Sequence, residues 1–400
     1  MAGPHEPKQV ALLIETSNEY ARGLLDGIIE YHKEFQHWTI TFTEQQRGAI
    51  PPKWLEGWKG DGLIARIENE NIAEAVRRLN VPAIDVSAAR HIPELPWIET
   101  DDMAISRLAI DHLYDRGFRT FAFAGCEQFA WSHLREQSFV RQLQQDGITC
   151  QIFRTKTNVF TESDWSTEQD KLADWLRKLP KPIGIFCCYD LQAQRILNLL
   201  RSMHVNVPDD VAVIGVDNDP IVCELSSPPM TSIIPHARRA GYLAAELLER
   251  CMNGEPIGER ESRLVKPLGI QARQSTDVLA IEDKELIPGI RYIRQFACQG
   301  ISVQDVLKHV PLTRRVFEIR FRKLFGRSPS QEIIRLRMDK AKHLLAESEM
   351  SIAEIANAIG FEHVEYLSVA FKREVGMPPG QFRRNARLNS SRLVSESEDH

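Results

Sequence analysis

The sequence predicts a two-part protein, an α/β body of two parallel-sheet subdomains followed by an all-α unit with two helix-turn-helix motifs. Three observations lead to this prediction. Short apolar runs alternate with helical patterns from residue 9 to about residue 273. One helical pattern occurs twice near the C-terminus, at an offset of about 50 residues. The formal net charge is −5, but residues 285–387 contain 18 Lys and Arg against 11 Asp and Glu, which suits an anionic partner for this part alone.

Short apolar runs mark the predicted strands of the α/β body. They lie at 9–16, 38–44, 61–67, 81–87, 118–125, 147–153, 182–190 and 211–219. Helical patterns stand between most of them, at 23–35, 71–80, 104–117, 132–147, 169–180 and 191–203. Strands that alternate with helices in this way are typical of parallel sheets covered by helices. The length indicates two such subdomains, and ligands of these folds bind at the C-terminal ends of strands, often between subdomains.

Polar side chains near the predicted strand ends are the candidate ligand contacts. They are Tyr20, Arg22, Arg135, Asp190, Asp217 and Asn218. Carboxylate, amide and guanidinium groups can bind several hydroxyls in fixed directions, and an aromatic ring such as Trp131 can cover the apolar face of a sugar. Asp190 and Asp217 each follow a strand, so either carboxylate could instead cap the next helix.

The sequence contains no P-loop, no HExxH, no GxSxG and no GxGxxG after a strand, so we expect no enzyme activity and no cofactor. A run of about 18 apolar residues is also lacking, and we expect no membrane span. The N-terminus has no basic segment followed by an apolar core, which predicts a cytosolic protein without a signal peptide. The seven cysteines show neither CxxC nor zinc spacing, so we expect free thiols and no metal.

The second copy of the repeated helical pattern occupies residues 351–384. Apolar residues recur at spacings of three and four from Ile352 onward, which predicts a short amphipathic helix. Ser351 and Glu354 have the spacing of a capping box, and Gly360 supplies the turn after the helix. A second helical stripe follows, so the whole segment has the outline of a helix-turn-helix motif.

The first copy occupies residues 301–329, and the residues between the copies, 330–348, predict a single connecting helix. Two helix-turn-helix motifs joined by a rigid helix can place their second helices in successive major grooves of DNA, roughly 34 Å apart. Basic residues would then contact phosphates and add a salt-dependent contribution to affinity.

Residues 289–387 resemble the DNA-binding domain of the AraC family of transcription regulators, most closely in the segment SIAEIANAIGFEHVEYLSVAFKREVGMPPGQFRR. The first copy differs at Pro311, where the family usually has glycine. Proline cannot supply a left-handed turn residue, so the geometry of the first turn stays open. The resemblance implies that the second helix of each motif lies in a major groove.

Candidate DNA contacts follow from that resemblance and from side-chain chemistry. The base-facing candidates are Arg314, Arg315, Glu318 and Arg322 in the first motif, and His363, Val364 and Glu365 in the second. Arg337, Lys372 and Arg373 are expected on phosphates. Arginine is the natural bidentate reader of guanine, so we expect the first motif to dominate sequence choice. Glu318 could accept from cytosine or orient a neighbouring arginine.

Residues 9–273 resemble the periplasmic-binding-protein-like sensor of the LacI/GalR family. The resemblance is carried by IETDDMAISRLAIDHLYDRGFRTFAFAG, by VPDDVAVIGVDND and by PPMTSIIPHARRAGYLAAELL. It maps Arg135, Asp190 and Asp217 to ligand contacts and adds Asp101 as a further one. Tyr189 stands where relatives often have a polar amide, so the ligand cannot be copied from them. That family carries its helix-turn-helix motif before the sensor, whereas this sequence carries its reader after it.

A LacI/GalR-like sensor followed by an AraC-like reader resembles the family of xylose operon regulators over the whole chain. The local segments ETSNEYAR, IETDD and QARQSTD agree with this resemblance. It implies a transcription activator that binds D-xylose and double-stranded promoter or operator DNA as a homodimer, with RNA polymerase as a further partner. The residues alone indicate only a small polar ligand and DNA.

Several alternatives stay open at this point. The same architecture could sense another sugar or act as a repressor, and a cytosolic sugar-binding protein or enzyme could carry a protein-binding helical domain. Residues 274–288 are the predicted linker, and residues 388–400 are a predicted disordered acidic tail. We hypothesise that sugar closes the two subdomains and frees the readers for DNA, which requires different sugar affinities in two states.

Overall fold

Two separate units, Met1–Ala280 and Ile281–His400, make up the computed structural model. The structure describes residues 7–35, 38–47, 50–156, 162–258, 262–277, 283, 285–348 and 350–384. The predicted tail over 388–400 lies outside the described residues, as do residues 278–282 and 284 of the predicted linker. None of the described helices has an apolar stretch of the length that a bilayer span requires.

The first unit alternates strands and helices as the sequence predicts. Its strands are β1 (Lys8–Leu13), β2 (Trp38–Phe42), β3 (Gly62–Ala65), β4 (Ala83–Asp85), β5 (Ile98–Thr100), β6 (Phe121–Cys126), β7 (Cys150–Thr155), β8 (Ile183–Cys187), β9 (Val211–Val216), β10 (Thr231–Ile234), β11 (Arg263–Val265) and β12 (Gly269–Gln271). Its helices are α1 (Glu19–Phe35), α2 (Glu70–Leu79), α3 (Asp102–Asp115), α4 (Ala130–Gln145), α5 (Glu162–Lys178), α6 (Asp190–Ser202), α7 (Pro220–Leu225) and α8 (Ala237–Met252).

These elements form two lobes around separate sheets. The N-lobe has a parallel sheet in the order β2-β1-β3-β4, and the C-lobe has a sheet in the order β12-β10-β9-β8-β6-β7. The C-lobe sheet is parallel except for β12, which pairs with β10 in the antiparallel direction. Every residue of β3, β6, β8 and β9 is buried, because helices cover both faces of a parallel sheet. The predicted architecture of two parallel α/β sheets is confirmed.

The chain passes between the lobes at three places. It crosses from β5 into α3, returns from β10 into α8, and crosses again from β11 to β12. Helix α8 packs against α1 of the N-lobe, and β5 pairs with β11 beside it. The crossings bring the carboxyl ends of both sheets to one cleft, which is the usual ligand position in such folds.

The second unit is helical, as predicted. It contains α9 (Ile287–Phe296), α10 (Val303–Leu307), α11 (Arg314–Phe325), α12 (Pro329–Glu347), α13 (Ile352–Ala358) and α14 (Val364–Val375). Helices α10 and α11 form the first helix-turn-helix motif, α13 and α14 form the second, and α12 contacts α11, α13 and α14. Its 19 residues correspond to a length of about 28 Å.

Capping fixes the start of the first helix in each motif. The Ser351 hydroxyl accepts from the backbone N–H of Glu354, whose carboxylate accepts from the backbone N–H of Ser351. Ser302 and Asp305 make the same reciprocal pair at α10. Gly360 has φ 78° and approaches another backbone so closely that an added Cβ would lie 2.2 Å from the nitrogen of Gly300. Only glycine therefore fits the turn of the second motif.

Both ends of the predicted linker, 274–288, form regular structure. Residues 274–276 form a short 3₁₀ turn in which Ser275 and Thr276 are fully buried. The Ser275 hydroxyl donates to the carbonyl of Val213 over 2.7 Å, and Thr276 Oγ1 lies 2.8 Å from Nε2 of His112. These contacts place 274–276 in the first unit, and α9 begins already at Ile287.

Candidate functional site

A narrow cleft between the two lobes is the candidate ligand site of the first unit. Its lining, called the interlobe cleft below, consists of Tyr20, Arg47, Arg66, Glu99, Thr100, Trp131, Arg135 and Asp217. Both lobes contribute, and Glu99 and Thr100 lie on β5, where the chain crosses between them. The predicted ligand contacts Tyr20, Arg135 and Asp217 are brought together here.

Arg66 is the buried cation on the N-lobe side of the interlobe cleft. Its guanidinium donates to the carboxylates of Glu15 and Glu68, and its Cζ lies 5.2 Å from the ring centroid of Tyr20. Burial alone would lower the pKa of Arg66, but the two carboxylates outweigh burial and raise it. The guanidinium therefore stays charged and is held in one orientation.

Glu99 organises the floor of the interlobe cleft. Its Oε1 accepts from the Tyr20 hydroxyl over 3.2 Å and from the backbone N–H and hydroxyl of Thr100 over 2.8 and 3.0 Å. Burial raises the pKa of Glu99 and, together with Glu99 itself, raises the pKa of Tyr20 well above its usual value. The phenol therefore remains a hydrogen-bond donor at all ordinary pH values.

Arg135 supplies the buried cation on the C-lobe side. Its Nε donates to Asp102 Oδ1 over 2.8 Å, and a terminal nitrogen donates to the carbonyl of Cys188. Its Cζ lies 5.7 Å from the ring centroid of Trp131. Burial would lower the pKa of Arg135, but Asp102 and Asp217 raise it, so this side chain is also a fixed charge.

Several polar groups of the cleft residues lack a hydrogen-bond partner within the described residues. Nε of Arg47, Nε of Arg66 and Nε1 of Trp131 are buried N–H donors without an acceptor. The carboxylate of Asp217 accepts no hydrogen bond from the described side chains or backbone. Because buried polar groups are nearly always satisfied in folded proteins, these unpartnered groups indicate that the cleft residues bind something polar.

Asp217 lies on a strained turn that directs it into the interlobe cleft. Its φ is 111° and that of Asn218 is 53°, both in the left-handed region that side chains other than glycine rarely adopt. The turn is held because Asp217 N–H donates to the carbonyl of Ile233, and Asn218 N–H donates to the hydroxyl of Ser232. Burial raises the pKa of Asp217 to about 6, although nearby Arg47 and Arg135 oppose this rise. Such strain is characteristic of functional positions.

Helix α11 of the second unit buries one face and exposes the other. Phe317 and Phe321 are fully buried, whereas the opposite side presents Arg314, Arg315, Glu318, Ile319, Arg322 and Lys323. Arg314 Nε donates to Glu318 Oε1 over 2.9 Å, so this carboxylate orients an arginine, which is one of the two predicted roles. Arg315 and Arg322 form no ion pair with any described residue, so their guanidinium groups are available to a partner.

Helix α14 has the same division between buried and exposed faces. Leu367 and Phe371 are fully buried. The exposed positions are His363, at the N-terminus, and Glu365, Tyr366, Val369, Lys372, Arg373 and Glu374. Cations at the C-terminal end of such a helix are suited to phosphate, while its first turns are suited to base edges.

Comparisons with known proteins match both units of the chain. Residues 9–103 match a family model described as the XylR N-terminal domain, residues 110–276 match a periplasmic binding protein-like domain, and residues 306–385 match a helix-turn-helix domain. The xylose operon regulatory protein of Escherichia coli (strain K12) is 31% identical over 386 residues, which cover 94% of this chain and 96% of that protein. The chain belongs to the XylR family of transcription regulators. It is therefore a sugar-responsive DNA-binding regulator and not an enzyme.

Other similarities extend over the same regions. The xylose operon regulatory protein of Haemophilus influenzae is 30% identical over 384 residues, 94% of this chain and 98% of that protein. A solved structure of the xylose-binding transcription activator XylR has a TM-score of 0.62 and 30% identity, and covers 95% of this chain and 98% of that one. The operator-bound lac repressor dimer shares the fold over 68% of this chain, with a TM-score of 0.53 and 15% identity.

Within this XylR-family sensor, two predicted ligand contacts lie behind the cleft wall instead of lining it. The Asp190 carboxylate accepts from the Ser232 hydroxyl over 2.6 Å and from the backbone N–H of Asp219 over 2.8 Å. Asn218 Oδ1 accepts from Arg273 over 2.9 Å. Both side chains are used to hold the turn that carries Asp217. Neither the prediction of direct contact for Asp190 nor the alternative of a helix cap fits these bonds.

Arg22 and Asp101 also lie outside the lining of the interlobe cleft. Arg22 of the N-lobe donates to Asp219 of the C-lobe over 3.0 Å and to Glu19 over 2.9 Å, so it joins the lobes beside the cleft. Asp101 caps α3, because its Oδ1 accepts from the backbone N–H of Ala104 over 3.0 Å. Their predicted roles as ligand contacts do not fit these positions.

Two predicted DNA contacts of this XylR-family reader need correction for a similar reason. Arg337 is buried on α12, where its guanidinium donates to the carbonyls of Ala297 and Ile301 over 2.7 and 3.0 Å. It holds α12 to the segment before α10 and is not exposed to phosphate. Val364 is half-buried and packs against the apolar core of the second motif, so it is not a base-facing side chain.

Sequence reasoning missed part of both sites. Arg47, Arg66, Glu99 and Thr100 were not among the predicted ligand contacts, and Trp131 was considered only as a sugar-covering ring. A signal existed for Arg66, because an arginine at the end of an otherwise apolar strand needs buried partners. Arg47 lies in a loop, and nothing in the sequence around it indicates its position. In α14, Tyr366 and Val369 were missed because the predicted readers His363, Val364 and Glu365 were all taken from the start of the helix.

Proposed function

We propose that this XylR-family protein activates genes of sugar catabolism and that its effector is D-xylose, bound in the interlobe cleft. The observation that supports a small polyhydroxyl ligand is the set of unpartnered polar groups there, three N–H donors and the Asp217 carboxylate. Hydroxyl groups both donate and accept, so a sugar offers partners to N–H donors and to a carboxylate alike. The named function of the relatives, regulation of xylose operons, supports the choice of pentose.

The charges around the interlobe cleft favour a neutral ligand. Arg66 is neutralised by two carboxylates and Arg135 by Asp102, while Arg47 lies 3.7 Å from a carboxylate oxygen of Glu15. Glu99 and Asp217 add further carboxyl groups. A sugar phosphate or sugar acid would bring negative charge into a site without excess cations, whereas a neutral pentose would not.

The ion pair between Arg22 and Asp219 supports a response of the lobes to sugar. Asp219 lies two residues from Asp217, on the same strained turn, and the partner cation belongs to the opposite lobe. A ligand that contacts Asp217 therefore lies beside the ion pair that joins the two lobes. The proposed regulator closes on sugar, acts in the cytosol as a homodimer, presents four helix-turn-helix motifs to DNA and contacts RNA polymerase as an activator.

Calorimetric titration of the full-length chain with D-xylose, L-arabinose, D-ribose and D-glucose tests the effector. We expect saturable binding of D-xylose alone, and a higher affinity for a selected DNA duplex when D-xylose is present at fixed salt. Binding of a different sugar would overturn the xylose assignment and leave the architecture in place. Equal DNA affinity with and without a bound sugar would overturn the coupling between the two units.

Sugar affinity is expected to fall by about tenfold between pH 7 and pH 5. The pKa of Asp217 is raised to about 6, so its carboxylate, the form that accepts from sugar hydroxyls, is lost as the pH falls through this value. An aspartate with its usual pKa would remain ionised over this range. Glu99 also has a raised pKa and would act in the same direction. Calorimetry at pH 5, 6 and 7 measures the effect, and a flat profile would contradict it.

A further inference from the structure

In the second unit, the exposed large apolar side chains of the described residues lie on the second helices of the two helix-turn-helix motifs. Within the described residues of the second unit, the large apolar side chains that are well exposed are Ile319 of α11 and Tyr366 and Val369 of α14, at 60%, 64% and 67%. Ile319 and Val369 lie opposite the buried faces of their helices, and Tyr366 lies beside Val369 at the flank of the buried face. Their exposure gives no stability to the domain, and apolar side chains that are exposed next to one another, as Tyr366 and Val369 are, can mark an interaction site.

The surroundings of these side chains differ between the two helices. Ile319 is a single apolar residue among Arg315, Arg322 and Lys323. Tyr366 and Val369 are one turn apart on α14, and the ring of Tyr366 lies 5.7 Å from that of His363. The exposed face of α14 therefore has an apolar centre, with its cations, Lys372 and Arg373, confined to the last turn.

The chemical groups on the base edges indicate what the exposed face of α14 binds. The first two turns of α14 contain no arginine or lysine, so they cannot form the bidentate contact that selects guanine. The major-groove group that favours apolar contact is the C5-methyl group of thymine. Positions three apart on a helix are separated by about 4.5 Å along its axis, comparable to the 3.4 Å step between base pairs.

We propose that Val369 and Tyr366 bind the methyl groups of neighbouring thymines, so that the second motif selects a thymine-rich segment of the operator. The first motif selects guanine through Arg315 and Arg322, and Ile319 adds one thymine contact of its own. This inference rests on the proposed function, because it requires the second unit to read DNA.

Replacing thymine by deoxyuridine tests the proposal, since it removes only the methyl group. The full-length chain first selects a duplex from a random library, with and without D-xylose, and footprinting of the Arg373→Ala variant assigns the segment under α14. Uridine replacement in that segment is expected to weaken binding about fourfold for each methyl group contacted, measured by fluorescence anisotropy at fixed salt.

Variants identify the side chains that sense the methyl group. Val369→Ala is expected to lose the part of the difference between thymine and uridine duplexes that Val369 contributes in the α14 segment, and to keep the part that Tyr366 contributes. Ile319→Ala is the matched control, because it should keep that difference and lose only the one in the α11 segment. Persistence of the full uridine effect in Val369→Ala would overturn the assignment to this side chain.

The remaining outcomes separate this inference from the proposed function. Equal affinity of the wild-type chain for thymine and uridine duplexes would overturn the inference and leave DNA binding intact. If Val369→Ala also kept full DNA affinity but lost activation of transcription in vitro, the apolar face would dock a protein instead. Failure to enrich any duplex would overturn the proposed function and this inference with it.

Discussion

Asp217→Asn is expected to weaken sugar binding by roughly tenfold to a hundredfold without unfolding the sensor. The carboxylate is an unpartnered acceptor of the interlobe cleft, and a hydrogen bond to a charged group contributes about 1.5–3 kcal/mol. Asparagine has the same shape and tolerates the left-handed backbone at this position, where φ is 111°. Calorimetric titration with D-xylose measures the loss.

A second measurement distinguishes a binding role from a structural one. Burial raises the pKa of Asp217, so its ionised form is destabilised in the folded state at neutral pH. Removing that charge should leave the melting temperature unchanged or raise it. The matched control is Asp209→Asn, which replaces an exposed loop carboxylate and should change neither the sugar affinity nor the melting temperature. Full sugar affinity in Asp217→Asn would exclude this carboxylate as a ligand contact, and a large fall in melting temperature would favour a structural role.

The same variant checks the origin of the expected pH dependence. If Asp217 is the titrating group, Asp217→Asn should bind sugar weakly and equally at pH 5 and pH 7. If the dependence persists, another carboxyl titrates, and Glu99 is the next to replace because it lines the cleft and has a raised pKa. The variant therefore decides whether Asp217 is the origin of the effect.

The longer strands of the sensor could be predicted because each is a continuous apolar run buried on both faces. The segments that cross between the lobes could not be predicted. Strands β5 and β11 have three residues each, too few to show a period, and both mix apolar with polar residues. Helix α8 was recognised only as part of a resemblance, yet it packs tightly on α1. Added Cβ atoms at Gly27 and Gly241 would lie 1.9 Å from the carbonyl oxygen of Arg238 and 2.0 Å from that of Leu24.

A cleft residue could be predicted only where two signals agreed, a polar side chain and a position after a predicted strand. Asp217 and Asp190 carry the same sequence signal, but only Asp217 lines the cleft, since the Asp190 carboxylate is used up by Ser232 and the backbone of Asp219. Which of two similar carboxylates keeps a free acceptor depends on loops that meet in the folded chain. The sequence identifies the edge of the sheet and not the individual contact.

The helical unit was more predictable because caps and periodicity act locally. Ser351, Glu354 and Gly360 have the roles that their spacing indicates. Arg337 was assigned wrongly although a signal was present, because it lies three residues after Ile334 and four before Ala341, on the apolar stripe of α12. A charged residue on a buried stripe is better interpreted as a structural hydrogen-bond donor than as a phosphate contact.

Arg337→Ala is expected to destabilise the first helix-turn-helix motif by about 3 kcal/mol, because two buried carbonyls lose a charged donor. The cation also lies 5.3 Å from the ring centroid of Phe361, a contact that would be lost as well. Hydrogen exchange of the amides between α9 and α12 measures the destabilisation directly in the full-length chain. Lys323→Ala, on the exposed side of α11, is the matched control and should leave exchange unchanged.

Salt dependence separates this structural role from a phosphate contact. Removing a cation that neutralises one phosphate lowers the slope of log affinity against log salt by about 0.9. Lys372→Ala is expected to show that change, because Lys372 is exposed on the last turn of α14. Arg337→Ala should weaken DNA binding, because the first motif is held in place in a smaller fraction of the molecules. The slope of log affinity against log salt should be unaltered, because the phosphate contacts stay the same. A reduced slope without faster exchange would restore Arg337 to the DNA surface.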